Sequence, residues 1–250
     1  MSELDNPPME RIIYKFKFND KPEKEFVVNI EPKTVGLIRS SDVPPADWTR
    51  LQRFACRDCP IADSEFEFCP IAVNLMDIIE FFSEIHSYEK VLIEVTTSNR
   101  TYSKDTSVQQ GVSSIIGIVM VTSGCPIMSK LKPMARFHLP FAGLEETQVR
   151  IFSMYLLAQY LRMRKGGQAD WKMDELNELY SRIGDINVNI AKKIATLEKE
   201  DASINAVVVL NNFAQGVSLN IDDNLEMLEP YLKEFINPID KVKKGWSQSS

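Results

Sequence analysis

The chain has 250 residues, of which 44% are hydrophobic and 26% are charged, and its formal net charge is −6. This composition is typical of a folded, soluble protein and excludes a wholly disordered chain. The net negative charge argues against broad binding to nucleic acid or anionic membranes, because such binding requires a basic surface.

The N-terminal residues are acidic and contain prolines, so they do not resemble a secretion signal or a transit peptide. The longest apolar run, 115–121, is too short to span a bilayer. We therefore expect a cytoplasmic protein. Because the cytoplasm is reducing, its cysteines are expected to be metal ligands or free thiols rather than disulfides.

The first 142 residues mix strand and helix patterns. Apolar residues alternate over 12–18 and again over 26–30, and turn residues lie between these segments, which predicts a β-hairpin. A helix is predicted to begin at Pro70, because proline is favoured in the first turn of a helix. A second hairpin is predicted over 91–104, followed by a buried helix over 106–121 that is apolar on nearly all sides.

The composition changes after Ala142. A long amphipathic helix is predicted over 145–165, and two series of apolar residues at spacings of three and four follow it. Pro230 is expected to break the second series. The predicted organisation is a flexible arm (1–10), an α+β cysteine-containing domain (11–142), a helical domain or extension (143–240) and a flexible tail (241–250).

All four cysteines occur in two short stretches. Cys56 and Cys59 form a Cys-x2-Cys pair, Cys69 follows nine residues later, and Cys125 lies beyond the second hairpin. Three of them are followed by proline, which places them at or before the first residue of a helix or turn. There, unpaired N–H groups are expected to lower the thiol pKa and to favour the thiolate that binds metal.

We therefore predict a site in which all four cysteines hold zinc, with a [4Fe–4S] cluster as the alternative, because sequence spacing alone does not choose between them. His138 could replace one cysteine, but it is more simply a core histidine satisfied by a backbone partner. In the plainest interpretation, Cys69 and Cys125 are buried packing residues and only the Cys-x2-Cys pair interacts.

The rest of the sequence offers no credible catalytic set. It contains none of the P-loop, GxGxxG, HExxH or GxSxG motifs. Of the two histidines, His86 is explained by the end of the preceding helix, where a cation is favoured. An enzyme is therefore the less favoured interpretation.

The cysteine motifs and several later segments resemble an uncharacterised bacterial family, a domain of unknown function. The resemblance covers roughly residues 10–165 and implies no activity. The segments that carry it are Cys56-Arg57-Asp58-Cys59-Pro60, Phe68-Cys69-Pro70, Thr101-Tyr102-Ser103-Lys104, Thr122-Ser123-Gly124-Cys125-Pro126, residues 132–141 and Met154-Tyr155-Leu156-Leu157-Ala158-Gln159-Tyr160.

Together these patterns predict an α+β fold with β-hairpins and buried helices around a four-cysteine site, followed by an antiparallel helical hairpin or bundle. The leading hypothesis for function is a non-enzymatic, metal-stabilised interaction module, which meets a protein partner or a second copy through its C-terminal helices. The alternatives are an iron–sulfur redox or sensor protein and a thiol-disulfide oxidoreductase that uses Cys56 and Cys59.

Overall fold

The computed structural model describes residues 9–39, 43–197, 199–223 and 225–237. The predicted tail and most of the predicted arm lie outside these ranges. Five strands and eight α-helices are described: β1 (Glu10–Lys17), β2 (Lys24–Glu31), β3 (Gly36–Ile38), α1 (Leu51–Phe54), α2 (Pro70–Phe82), β4 (Lys90–Thr96), β5 (Thr101–Ser107), α3 (Val108–Thr122), α4 (Lys132–Arg136), α5 (Leu144–Arg164), α6 (Asp174–Ile194), α7 (Ala202–Asp222) and α8 (Glu229–Ile236).

The strands form one antiparallel sheet in the order β3-β2-β1-β4-β5. This arrangement confirms the α+β fold class. Apolar residues alternate along the three central strands and point to one buried face, as the period of two requires. The edge strand β5 is largely exposed and polar, which is typical of a protected sheet edge.

Helix α3 lies on the buried face of the sheet, and Gly111 of this helix sets the distance between the helix and the strands. A Cβ at Gly111 would come within 1.9 Å of Cδ1 of Ile93 and 2.8 Å of Cε1 of Phe16. Only glycine therefore lets the helix approach the strands this closely. The helix was predicted to begin at residue 106, but strand β5 extends to Ser107, because its backbone continues to pair with β4 up to that residue.

The predicted helical hairpin is formed by α6 and α7. Asn177, near the start of α6, donates to Asp222 at the end of α7 at 3.1 Å, so the two helices are antiparallel. Helix α7 ends at Asp222, before Pro230, and that proline lies in the first turn of α8. None of the helices in the described ranges is both long and apolar enough to cross a membrane.

The hairpin is attached to the first half of the chain through its connecting loop. Asp201 accepts hydrogen bonds from the backbone N–H and the hydroxyl of Ser87, at 2.8 and 3.0 Å, and Asn205 also donates to that hydroxyl. Helix α7 packs along α3, and one apolar core continues across the predicted boundary at residue 142. The division into two domains stays a prediction, but the two parts share their core.

Candidate functional site

The loop that carries Cys56 and Cys59 is closed at its base by backbone contacts. It runs from the end of α1 to the start of α2. Leu51 donates to the carbonyl of Glu67 at 3.0 Å, and Cys69 donates to the carbonyl of Thr49 at 2.8 Å. Asp58, between the two cysteines, has a left-handed backbone with φ 56°. These contacts bring the Cys-x2-Cys pair back towards Cys69.

Two cysteines face backbone N–H groups, as their prolines predict. The thiol of Cys69, which precedes α2, lies beside the amides of Ile71 and Ala72 without reaching the geometry of a full cap hydrogen bond. The thiol of Cys125 faces the amides of Ile127 and Met128 in the same way. These amides lower the pKa of both thiols, because they stabilise the thiolate.

Burial nevertheless has the larger effect on the thiols. It raises the pKa of Cys56 to about 12 and that of Cys69 to about 11, and it also raises the pKa of Cys125. The prediction of lowered thiol pKa values is therefore wrong for Cys69 and Cys125. Desolvation destabilises the thiolate more than the neighbouring amides stabilise it.

The four thiols interact with one another. Negative charge on Cys59, Cys69 or Cys125 would raise the pKa of Cys56 further, and Cys59 acts in the same direction on Cys69 and Cys125. All four cysteines are free thiols. The four cysteines therefore lie within electrostatic range of one another, and we call this set of residues the thiol cluster (Cys56, Cys59, Cys69 and Cys125).

This cluster is not a ready-made metal site. Across the described ranges, no group of three or more His, Cys, Asp and Glu side chains is arranged to hold a metal ion. The interaction among the thiols is consistent with convergence of the four cysteines, but metal binding by them stays a prediction.

Helix α6 adds two polar side chains to the cluster. Asn189 donates to the sulfur of Cys56 at 3.4 Å and to the carbonyl of Phe54 at 3.3 Å. The guanidinium of Arg182 lowers the pKa of Cys125. Sequence reasoning missed both residues, because α6 follows the last cysteine by many residues and its own pattern indicates only a helix with a buried seam.

Neither histidine lies at the thiol cluster. His138 bonds through Nε2 to the hydroxyl of Tyr14, so its partner is a side chain and not the backbone group that we expected. Burial lowers the pKa of His138 to about 4, which keeps the imidazole neutral. His86 forms an ion pair with Glu200 at 2.7 Å and stacks on Tyr88. The structure therefore does not place His138 where it could replace a cysteine.

A second polar region, which the sequence did not indicate, surrounds His138. The hydroxyl of Tyr14 also bonds to the hydroxyl of Ser114 at 3.0 Å. Ser114 and His138 line a largely apolar pocket between α3, the segment around α4, and helices α5, α6 and α7, together with Arg150 of α5 and Asn187 of α6. We call it the His138 pocket. No cysteine lines it.

The fold defines the class: an α+β protein with a five-stranded antiparallel sheet, packed helices and four free cysteines. The chain belongs to the family described as Domain of unknown function (DUF6901), whose model matches residues 12–233. No curated protein and no solved structure matches the chain. Membership confirms the resemblance to an uncharacterised family, whereas the cysteine pattern of that family is not tested.

Proposed function

We propose that the protein is a non-enzymatic, metal-stabilised interaction module, in which the four cysteines of the thiol cluster hold a metal ion. The observation that supports this proposal most is the mutual electrostatic interaction of four thiols, of which Cys69 is buried and the other three are partly buried. A reducing compartment such as the cytoplasm fits four unpaired thiols.

The electrostatics of the cluster favour a cation. Burial and the charge of neighbouring thiolates keep Cys56 and Cys69 protonated, and a bound divalent cation would reverse that balance and favour thiolates. The amides beside Cys69 and Cys125 and the amide of Asn189 would then serve as donors to the ligating sulfurs. Such outer partners tune metal affinity in known sites.

The position of the cluster supports a structural role. Asn189 and Lys193 of α6 donate to backbone carbonyls at and next to the end of α1, which leads directly into Cys56. A metal at the thiol cluster would therefore fix the 55–69 loop against both α2 and the helical hairpin. Closing a loop in the native state by metal binding contributes directly to folding stability.

Zinc is the leading metal, because it is the common structural ion for four thiolates, and it requires all four sulfurs at about 2.3 Å from one point. The alternative is a [4Fe–4S] cluster, which also takes four cysteines and would make the protein a redox protein or sensor. The thiol-disulfide oxidoreductase is less favoured, because its attacking thiol needs a low pKa, whereas the pKa of Cys56 is raised to about 12.

Exposed apolar side chains on the C-terminal helices support self-association with a second copy. On α5, Leu157, Tyr160 and Leu161 lie on one face and are exposed. Helix α8 has no buried residue, and its Phe235 is 92% exposed. Patches of this kind mark interaction surfaces. Light scattering is expected to give the mass of a dimer, and Leu161→Glu is expected to give a monomer; a monomeric wild type would remove this part of the proposal.

The deciding experiment is anaerobic purification followed by elemental analysis for zinc and iron per chain. About one zinc supports the structural site, and about four irons with sulfide support the cluster. Cys125→Ser is expected to lose the metal and much of the stability. The matched control is Asp63→Ser, which changes an exposed acidic residue of the same loop and should keep the metal. A metal-free wild type would contradict the proposal.

A further inference from the structure

The His138 pocket has the size of a small-molecule site. Its volume is about 160 Å³. An engineered apolar cavity of about 150 Å³ is large enough to bind benzene. The lining is largely aliphatic, with Ile118 and Val121 of α3 and Leu210 of α7 among its residues. A bound molecule would therefore have a compact, apolar body.

Arg150 brings a positive charge to this apolar pocket. Its Nη2 donates to the carbonyls of Met134, at 3.1 Å, and Phe137, which holds the guanidinium in place. Burial lowers the pKa of Arg150. Glu146 interacts with it electrostatically, but Oε2 of Glu146 accepts the amide of Gly143 at 2.9 Å. In the described part of the chain, Arg150 forms no ion pair, so its charge lacks a directly bonded anion.

Helix α6 presents two further polar groups to the pocket. Asn187 is 2% exposed, and its Oδ1 has no hydrogen-bond partner among the described residues. Tyr180 is also buried, and its pKa responds to the charge of Arg150. The two residues are seven positions apart and so lie on the same face of the helix, about 10 Å apart along its axis. Buried side-chain amides without a partner are uncommon, and a ligand or a water molecule is the usual explanation.

His138 completes the polar part of the wall. Its neutral imidazole shares a hydrogen bond with the hydroxyl of Tyr14 through Nε2, and the two ring nitrogens supply one donor and one acceptor. Arg150 contributes to the lowered pKa of His138, so the positive charge of Arg150 helps to keep the imidazole neutral. The pocket therefore combines apolar walls with several hydrogen-bond donors and with one cation that is not neutralised by a bonded carboxylate.

We propose that the His138 pocket binds a compact monocarboxylic acid with an apolar body and one hydroxyl group, about the size of a hydroxybenzoate or a branched five-carbon hydroxy acid, whose carboxylate pairs with Arg150 and whose hydroxyl donates to Oδ1 of Asn187. A carboxylate is the complement that a guanidinium binds best in a site shielded from water. An apolar body fits the aliphatic lining. This inference does not rest on metal binding by the thiol cluster.

The test is isothermal titration calorimetry of the purified full chain with 4-hydroxybenzoate, 2-hydroxyisovalerate and the neutral analogue 4-hydroxybenzamide. At least one of the two acids is expected to bind, and 4-hydroxybenzamide is expected to bind more than tenfold more weakly than the tighter-binding acid. Binding should raise the melting temperature in proportion to ligand concentration. If neither acid binds, or if 4-hydroxybenzamide binds as tightly as the tighter-binding acid, the proposal is overturned.

Variants then locate the site. Arg150→Gln is expected to weaken acid binding at least tenfold, about 1.4 kcal/mol. Arg162→Gln is the matched control, because Arg162 lies on the same helix and pairs with Glu175 outside the pocket. Its acid binding should equal that of the wild type, and equal binding by Arg150→Gln would contradict the proposal.

A second variant covers the case in which Arg150→Gln does not fold. Asn187→Leu removes a buried amide of similar size, so the ligand-free protein should melt at a higher temperature. The same variant should bind the acid more weakly, since the hydroxyl of the acid loses its acceptor at Asn187. Stronger or unchanged acid binding by this variant would contradict the proposal.

Discussion

The thiol cluster and the His138 pocket are both partly polar regions in the core, but the chain constructs them differently. The cluster comes from short cysteine-proline motifs, each of which also sets the start of a helix or turn. The pocket takes its polar groups from β1, α3, α5, α6 and the segment after α4, and none of these has a local motif. Chemistry that is concentrated in a motif can be found in a sequence, whereas chemistry that is spread over packed elements cannot.

Burial also shifts the pKa values in the two regions in opposite directions. At the thiol cluster, burial raises the pKa values of Cys56 and Cys69 and so keeps these two thiols protonated. At the pocket, burial lowers the pKa of His138 and keeps it neutral, while Arg150 stays available as a charge. Desolvation thus disfavours the charged thiolates in one region and the charged imidazolium of His138 in the other.

The largest expected effect is on the scaffold behind the pocket. Gly111→Val would place side-chain atoms where Ile93 and Phe16 already lie, so α3 would have to move away from the sheet. We expect a loss of about 3 kcal/mol or more in the free energy of unfolding, measured by urea denaturation. Gly117→Ala is the control, because its Cβ meets only the side chain of Leu210, at 3.3 Å. Equal stability of the two variants would contradict the close approach at Gly111.

The second prediction concerns the pH dependence of folding stability, which distinguishes the buried histidine of the pocket from the histidine at the surface. The pKa of His138 is lowered to about 4 in the folded state, against about 6.5 in the unfolded chain. Between these values the unfolded chain binds the proton and the folded chain does not, so stability falls as the pH falls. The slope should approach about 1.4 kcal/mol per pH unit between about pH 6.5 and 4.

His138→Gln should remove most of this slope from urea denaturation curves measured across the same pH range. The control is His86→Gln, because His86 is partly exposed and pairs with Glu200 at the surface. The control should keep the slope that His138 produces. If both variants retain the same steep slope as the wild type, then His138 does not titrate as a buried neutral group.

The smallest expected effect is at the thiol cluster. Asn189→Leu removes the hydrogen bonds to the sulfur of Cys56 and to the carbonyl of Phe54. We expect a loss of about 1 kcal/mol in the free energy of unfolding. If the cluster holds a metal, the variant should also release it more readily to a chelator, by about tenfold or more. Asn177→Leu, near the other end of α6, serves as the control and should keep the metal as the wild type does.

The sequence by itself determined the parts of this protein that depend on local pattern. Alternating apolar residues predicted the two hairpins, and helical spacing predicted α2, α3, α5 and the antiparallel pair α6 and α7. Local sequence pattern is enough to predict these strands and helices, because periods of 2 and 3.6 residues follow from backbone geometry alone. The cysteine-proline motifs also predicted that Cys69 and Cys125 face backbone amides.

The tertiary structure decided everything that depends on contacts between distant segments. It joined the strands into one sheet, continued one core from the sheet into the helical hairpin, and brought Asn189 to Cys56. It also reversed the expected direction of the thiol pKa shifts and gave His138 a side-chain partner. Burial and long-range pairing are properties of the packed chain, and no local pattern of residues encodes how much water a thiol or an imidazole will lose.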